Sequence, residues 1–252
     1  MKVVIVGAGN VATVLGRLIK KAGHQILQVV SRDAANAEIL ATELNCAFTD
    51  KSGIINKNAD LYLIAVTDTA MSQLDERYHL GNKLVIHTAG AVSKEVLKNV
   101  THNYGVLYPL QSLRKQNMDL QQDIPLLIDA NTPEALTLLE DFAHTISGNV
   151  SKLNDEQRLK LHLAAVLVSN FTNHLYMLAA DYCHSEKADF KLLLPLIEET
   201  ALRLRHHLPG EMRTGPAVRK DITTLQKHLE LLIHYPAIHN IYLKMTDSIM
   251  NP

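Results

Sequence analysis

The sequence predicts an α/β domain with a doubly wound, mostly parallel sheet, followed by a second domain that is all helical. Three observations lead to this fold class. Short β-branched runs alternate with helical patterns in the first half, a pair of glycines joins the first run to the first helix, and strand patterns end near residue 154. We therefore expect two domains, residues 1–152 and 153–252.

The alternation is clearest at the start of the chain. Runs that are apolar at consecutive positions, such as 61–66 and 84–86, are typical of strands that helices cover on both faces, which indicates a parallel sheet. Further strands are expected near 104–108 and 124–128, and Thr132 is expected to cap a helix over 133–145. The earlier predicted strands are 2–6, 25–31, 59–66 and 83–87, and the earlier helices are 11–22, 34–44 and a short one from residue 70.

Composition excludes several classes of protein. Apolar residues make up 47% of the chain and charged residues 20%, a balance typical of a globular protein. Lys and Arg number 25 against 26 Asp and Glu, without a long run of either sign, which argues against nucleic-acid binding. We find no secretory signal and no apolar stretch of about 18 residues, so we expect a cytoplasmic protein without a membrane partner.

Cysteine and histidine patterns indicate neither disulfides nor metal binding. The two cysteines, Cys46 and Cys183, have no paired spacing and are interpreted as reduced packing residues. None of the 13 histidines belongs to an HxH or HExxH arrangement. We therefore predict no metal site.

The pattern Gly7-x-Gly9-x-x-Ala12 lies between the first strand and the first helix. Glycine at these positions permits a tight turn and lets the backbone approach a pyrophosphate, while the helix amino end offers free N–H groups. The context predicts a dinucleotide-binding loop, and the alternative is a turn with only a structural role. The expected cofactor contacts are Gly7, Ala8, Gly9, Asn10 and Val11.

The end of the second strand decides between the two nicotinamide cofactors. An acidic residue there accepts from the ribose 2′-OH of NAD, whereas Ser31-Arg32 offers a hydroxyl and a guanidinium to the 2′-phosphate of NADP. NADP(H) is therefore predicted. In the alternative, Arg32 is an ordinary solvated charge and Asp33 turns inward to serve NAD.

Two later strand ends are expected at the same edge of the sheet. Backbone contacts to the cofactor are predicted for Ala65, Val66 and Thr67. The following strand ends at His87, which either reaches the nicotinamide or substrate, or only caps a loop.

The second half contains four predicted helices, at 155–183, 189–206, 221–234 and 237–248. The first is long and apolar around much of its circumference, so we expect extensive burial and a role in a dimer interface. Along it, His162, Ser169 and Asn173 form a polar stripe, with Asn170 on the flank. This stripe either belongs to a binding site or forms an interhelical hydrogen-bond network.

Asp221 and His228 fall on one face of the third of these helices. They could act together at a site or bond each other, but Asp221 is more simply interpreted as the cap of that helix.

In several of these residues the sequence resembles a bacterial family that joins an NADP-binding Rossmann domain to a helical domain of unknown function. Ala89 stands where that family usually has Ser, and Lys220 where it often has Gly, so neither position is expected to carry chemistry. The resemblance rests on residues 7–12, 87–90 and 108–111, on His162 with residues 169–171, and on residues 214–216 with Arg219, Asp221 and His228.

The chain is more distantly similar to pyrroline-5-carboxylate reductases, deazaflavin-dependent NADP reductases and β-hydroxyacid dehydrogenases. This resemblance implies a homodimer, formed through the helical domain, that acts on a small molecule at the domain cleft. The β-hydroxyacid dehydrogenases have a Lys four residues before an Asn on the long helix. Here Val166 precedes Asn170, so their mechanism does not transfer.

The resulting hypothesis is an NADP-dependent oxidoreductase that transfers a hydride between NADP(H) and a small molecule. His162 is the proposed proton donor or acceptor, Asn170 orients the substrate, and His87 is the second candidate acid. One alternative is a non-catalytic dimeric module that binds NADP(H) as a sensor or scaffold. Another is a Rossmann fold that has lost nucleotide binding.

Overall fold

The computed structural model describes residues 1–50, 53–74, 78–116 and 123–251. The chain divides into two compact units, Met1–Ser169 and Asn170–Pro252. The expected domain boundary after residue 152 stays a prediction.

Within the described residues the first unit contains one eight-stranded sheet. Its strands lie in the spatial order β3-β2-β1-β4-β5-β6-β7-β8. In chain order the strands are β1 (Lys2–Val6), β2 (Gln25–Ser31), β3 (Ala47–Asp50), β4 (Leu61–Ile64), β5 (Leu84–His87), β6 (Asn103–Pro109), β7 (Leu126–Ala130) and β8 (Val150–Lys152).

The first six strands form the doubly wound part of the sheet. All their pairings are parallel, and their order is 3-2-1-4-5-6, which confirms the predicted fold class. The strand order reverses between β1 and β4, the position at which open α/β sheets form a crevice for ligands.

The far part of the sheet contains an antiparallel pairing. β7 pairs antiparallel with β6, which agrees with a sheet predicted to be mostly parallel, although the direction of this particular strand was not predicted. An apolar run has the same period in either direction, so it carries no information about strand direction. The short strands β3 and β8 were not predicted, because each is an edge strand of three or four residues that lacks a buried apolar run.

Helices cover both faces of this sheet. Val3 and Ile5 of β1 belong to one apolar cluster, with the helices α1 (Asn10–Lys21), α2 (Ala34–Leu44) and α4 (Pro133–Ile146). The alternate residues Val4 and Val6 point into a second cluster, which includes Met71 of the short helix α3 (Asp68–Met71). Burial on both faces explains the consecutive apolar residues of the central strands.

Side-chain caps begin the two later helices of the first unit, the first of them at the predicted residue. Thr132 accepts a hydrogen bond from the backbone N–H of Ala135 at the start of α4. Asn154 accepts from the N–H of Gln157, whose side chain accepts in return from the N–H of Asn154, and this capping box begins α5 (Asp155–Ala165).

The helical half is more broken than predicted. A π-helical turn, Val166–Phe171, separates α5 from α6 (Thr172–Ser185). In the second unit, the helix expected over 189–206 is an α-helix, α7 (Leu194–Leu202), between two 3₁₀ turns. The remaining helices are α8 (Ile222–Leu231) and α9 (Pro236–Met250).

Lys220, just before α8, has a backbone φ of 55°. This left-handed conformation suits glycine best, which gives a backbone reason for the Gly that the resembling family often has here.

The expected burial of the long helix is wrong for the single chain. Leu163, Leu167, Val168 and Phe171 have 62%, 53%, 73% and 57% of their surface exposed. An apolar composition indicates that a surface is covered, but it does not indicate whether the same chain or another molecule covers it.

By length and composition alone, Asp155–Ser185 is a helix that could cross a membrane, the only one found among the described residues. The sequence analysis did not anticipate this. One such helix is weak support for a membrane protein, and His162, Asn170 and Asn173 would be costly in hydrocarbon. A cytoplasmic location stays a prediction.

Candidate functional site

A cavity of about 570 Å³ lies at the carboxyl ends of β1, β2 and β4. Eight of the ten predicted cofactor residues line it: Gly7, Ala8, Gly9, Ser31, Arg32, Ala65, Val66 and Thr67. The cavity occupies the position where the strand order reverses, so its place agrees with the general rule for ligand sites in such sheets.

The two glycines of the loop have different physical roles. Gly7 has a φ of 122°, and a Cβ there would lie 2.1 Å from the carbonyl oxygen of Ala65. Only glycine fits this position. A Cβ on Gly9 would meet no atom within 4 Å, so the absence of a side chain leaves room for a ligand instead of relieving a contact within the chain.

The amino end of α1 comes directly after Gly9 in the chain. Gly9 is the N-cap and offers no side chain, so the first N–H groups of the helix have no side-chain partner. Asn10 and Val11 begin this helix but do not line the cavity, and the Asn10 carboxamide oxygen accepts from the N–H of Lys115 at 3.3 Å. A contact of Asn10 or Val11 with the cofactor stays a prediction.

Arg32 and Asp33, at the end of β2, have different surroundings. Asp33 caps α2: its carboxylate accepts from the backbone N–H of Asn36 at 3.1 Å and from the Asn36 side-chain amide at 2.5 Å. Arg32 lines the cavity and, in the part of the chain described, makes no ion pair or side-chain hydrogen bond. Its guanidinium is therefore available, whereas the Asp33 carboxylate is engaged.

Sequence reasoning missed Asn36, which lines the cavity beside Ser31 and Arg32. The signal was its position three residues after Asp33, the spacing at which a capped helix turns its first side chains toward the cap. Ala70, Gln73, Leu74 and Tyr78 also line the cavity and were not predicted.

A second group of polar residues lies at the ends of β5 and β6. These strands run parallel to β4, so His87 and Tyr108 lie at the same edge of the sheet as Ala65. With strands about 4.8 Å apart, the end of β6 is about 10 Å from the end of β4.

His87 is completely buried. Its Nδ1 accepts from the N–H of Ala89 at 3.2 Å, and its Nε2 has no hydrogen-bond partner among the residues that the structure describes. Burial, together with the charge of Arg158, lowers the pKa of His87 to about 4. This arrangement favours the loop-capping interpretation, and a contact with nicotinamide or substrate stays a prediction.

His162, on α5, is half-buried and pairs with Tyr108. The Tyr108 hydroxyl and the His162 Nδ1 are 2.9 Å apart, and the two rings meet edge to face with centroids 5.7 Å apart. Burial raises the pKa of Tyr108, so the phenol keeps its proton at neutral pH. The sequence analysis included Tyr108 only as part of a resemblance.

The predicted polar stripe is not buried in the single chain. Ser169 is half-buried, whereas Asn170 and Asn173 are exposed. The prediction of burial followed from the apolar neighbours, which are themselves exposed. The role of Asn170 in orienting a substrate stays a prediction.

Arg158 was also missed. It is 1% exposed and forms an ion pair with Asp155 at 2.8 Å. It donates from Nε to the carbonyl of Gly90 at 3.2 Å and from Nη2 to the carbonyl of Val92 at 2.5 Å. Its position one helical turn before His162 was visible in the sequence, but nothing local marks an arginine as buried.

Asp221 and His228 do not bond each other. The Asp221 carboxylate accepts from the backbone N–H and the hydroxyl of Thr224, which confirms the capping interpretation. The His228 Nδ1 lies 2.7 Å from the Tyr242 hydroxyl.

Strand order, glycine loop and cavity together define a Rossmann-type nucleotide-binding domain, here followed by a helical domain. Residues 1–111 match the Rossmann-like domain, and residues 124–249 match the family described as domain of unknown function (DUF2520). The chain belongs to this family.

Solved structures agree with this assignment. A "putative NADP oxidoreductase" from Bacteroides fragilis is 36% identical, with a TM-score of 0.93 over 100% of this chain and 98% of that one. Pyrroline-5-carboxylate reductase from Streptococcus pyogenes is 14% identical, with a TM-score of 0.66 over 100% and 99%. An imine reductase from Myxococcus stipitatus, in complex with NADP⁺, is 16% identical, with a TM-score of 0.63 over 99% and 92%. A comparison with curated proteins finds no match.

The buried His87 makes stability depend on pH. Its pKa is about 4 in the folded protein against an ordinary value of 6.5, so the unfolded chain takes up the proton first. The resulting stabilisation is complete above pH 6.5 and is lost as the pH falls toward 4, by roughly 2 to 3 kcal/mol. Urea unfolding at pH 7 and pH 4.5 should therefore show a smaller pH-dependent loss for His87→Gln than for the wild type.

The exposed His102 provides the control, because His102→Gln should keep the pH dependence of the wild type. Equal losses of stability in His87→Gln and the wild type between these two pH values would contradict this account of His87.

Proposed function

We propose that the protein is an NADP-dependent oxidoreductase that transfers a hydride between NADP(H) and a small molecule at the carboxyl edge of the sheet. One observation carries the proposal. The cavity at the strand reversal combines a glycine loop, a helix amino end and Arg32, for which the described residues provide no ion-pair partner, while the acidic Asp33 is engaged in capping α2.

The residues of the cavity fit the phosphates of NADP(H). The open surface at Gly9 and the N–H groups that begin α1 would hold the pyrophosphate. Ser31 and Arg32, with Asn36 beside them, would hold the 2′-phosphate through charge-assisted hydrogen bonds. When bound, the cofactor supplies or accepts the hydride.

The Tyr108–His162 pair is the proposed source of the proton. In the reducing direction, the substrate carbon receives the hydride, and the oxygen or nitrogen of the reduced double bond receives the proton of His162 Nε2, while Nδ1 takes up the proton of the Tyr108 hydroxyl and the imidazole stays neutral. In the oxidising direction both proton transfers run in reverse, from ionised Tyr108. The names of the similar structures support this class of reaction, since they are a "putative NADP oxidoreductase", a pyrroline-5-carboxylate reductase and an imine reductase.

Turnover tests the function directly. We expect the wild type to oxidise NADPH with at least one member of a panel of small oxo acids and imines. In His162→Gln, kcat should fall at least about 100-fold, because a positioned acid contributes at least this factor. NADPH affinity should be unchanged in His162→Gln, and His102→Gln should behave as the wild type.

Equal kcat in His162→Gln and the wild type would remove His162 from the mechanism. Tight NADPH binding without turnover on any substrate of the panel would instead favour the non-catalytic sensor or scaffold.

We also propose that the protein is a homodimer whose interface includes the long helix. The exposed side chains of Leu163, Leu167, Val168 and Phe171 follow one another along Asp155–Ser185. Such a concentration of exposed apolar surface is typical of a protein interface. A second copy of the chain would cover it, as the sequence-based resemblance also implies.

Sedimentation equilibrium of charged variants tests this interface. Leu167→Glu should raise the dimer dissociation constant at least about tenfold, because it places an unpaired carboxylate in an apolar contact. Leu138→Glu is the matched control: Leu138 lies on α4 and is 50% exposed, against 53% for Leu167. A monomeric wild type, or equal effects of the two substitutions, would contradict the proposal.

A further inference from the structure

The Tyr108–His162 pair depends on the absence of a side chain at residue 90. A Cβ on Gly90 would lie 2.5 Å from the His162 Nδ1 and 3.0 Å from the Tyr108 Cζ. The Gly90 backbone therefore packs directly against the atoms that form the hydrogen bond. A shift of this backbone would move the pair or separate its two members.

The loop that carries Gly90 is held by two side chains from the first turns of α5. Arg158 donates to the carbonyls of Gly90 and Val92. Asp155 accepts from the hydroxyl of Ser93 and from the backbone N–H of Lys94 at 3.2 Å. The ion pair between Arg158 and Asp155 joins the two attachments.

Arg158 and His162 are four residues apart on α5, so they lie on the same face of the helix. One end of this face holds the loop, and the next turn places the imidazole against the loop and Tyr108. The positive charge of Arg158 also lowers the pKa of His87, beside the larger effect of burial, and opposes the rise that burial causes in the pKa of Tyr108.

Burying an arginine here is expensive. Removing a guanidinium from water carries a large desolvation cost, and an apolar replacement of similar volume is often as stable. The Nη1 of Arg158 is buried with no hydrogen-bond partner among the described residues, which adds to that cost. Stability alone therefore explains this residue poorly, and a role in the adjacent pair explains it better.

We infer that Arg158 is a positioning residue for the Tyr108–His162 pair, an assignment that rests on the proposed role of His162 in proton transfer. By holding the Gly90 and Val92 carbonyls against α5, its guanidinium keeps the Tyr108 hydroxyl directed at Nδ1 of His162. In the uncharged imidazole the proton then lies on Nε2, the nitrogen that remains to donate to a substrate.

The tautomer of His162 can be read from its ring nitrogens by NMR of the full chain labelled with ¹⁵N-histidine, without substrate or cofactor. The wild type should show the Nε2–H tautomer, and Tyr108→Phe should shift both ring nitrogens toward a mixture. Arg158→Met should reproduce at least half of that shift. Arg158→Lys, which keeps the charge but loses the fork to two carbonyls, should shift them in the same direction.

Arg17→Met is the matched control. Arg17 also donates to a carbonyl, that of Lys115, and to a carboxylate, that of Glu43, but it lies on α1. Its removal should leave the His162 nitrogens unchanged even where thermal stability falls.

If the ¹⁵N chemical shifts of His162 in folded Arg158→Met and Arg158→Lys equal those of the wild type, the inference is overturned and Arg158 has only a structural role. If Arg158→Met does not fold, Arg158→Lys decides by the same criterion. Because the readout needs no turnover, it is independent of a failure of the proposed reaction.

Discussion

The close passage of the Gly7 backbone over the carbonyl of Ala65 is the constraint on which the candidate site depends. No side chain fits between these two segments, and the N–H of Gly7 donates to the carbonyl of Val30 on the other side. The turn after β1 is thereby held between the ends of β2 and β4. Because α1 begins three residues after Gly7, its amino end is directed to the cavity that Ser31, Arg32 and residues 65–67 also line.

Much of the first unit could be predicted because its signals are local. A buried parallel strand needs consecutive apolar residues, and a helix start needs a capping side chain, as at Thr132 and Asn154. The antiparallel direction of β7 and the edge strands β3 and β8 could not be predicted this way, because they depend on pairing with distant strands. The π-helical turn at 166–171 likewise has no signal in apolar spacing.

The candidate site also contains residues with local sequence signals and residues without them. The glycine loop and Ser31-Arg32 are recognisable because the cofactor contacts come from short segments at fixed places in the fold. Arg158, Gly90 and Tyr108 meet only after α5 packs on the ends of β5 and β6, so no spacing in the sequence indicates their contact. The exposed leucines of the long helix show the same limit. An apolar composition predicts that a surface is covered, but it does not predict which molecule covers it.

The central claim is that this cavity selects NADP(H) through Arg32, and calorimetric titration with NADPH and NADH tests it most directly. Loss of a charge-assisted contact to the 2′-phosphate costs about 1.5 to 3 kcal/mol, so Arg32→Ala should bind NADPH roughly 10- to 100-fold more weakly and NADH with unchanged affinity. The exposed Arg219 supplies the control substitution, Arg219→Ala. Absence of NADPH binding to the wild type, or equal losses for both cofactors in Arg32→Ala, would contradict the account.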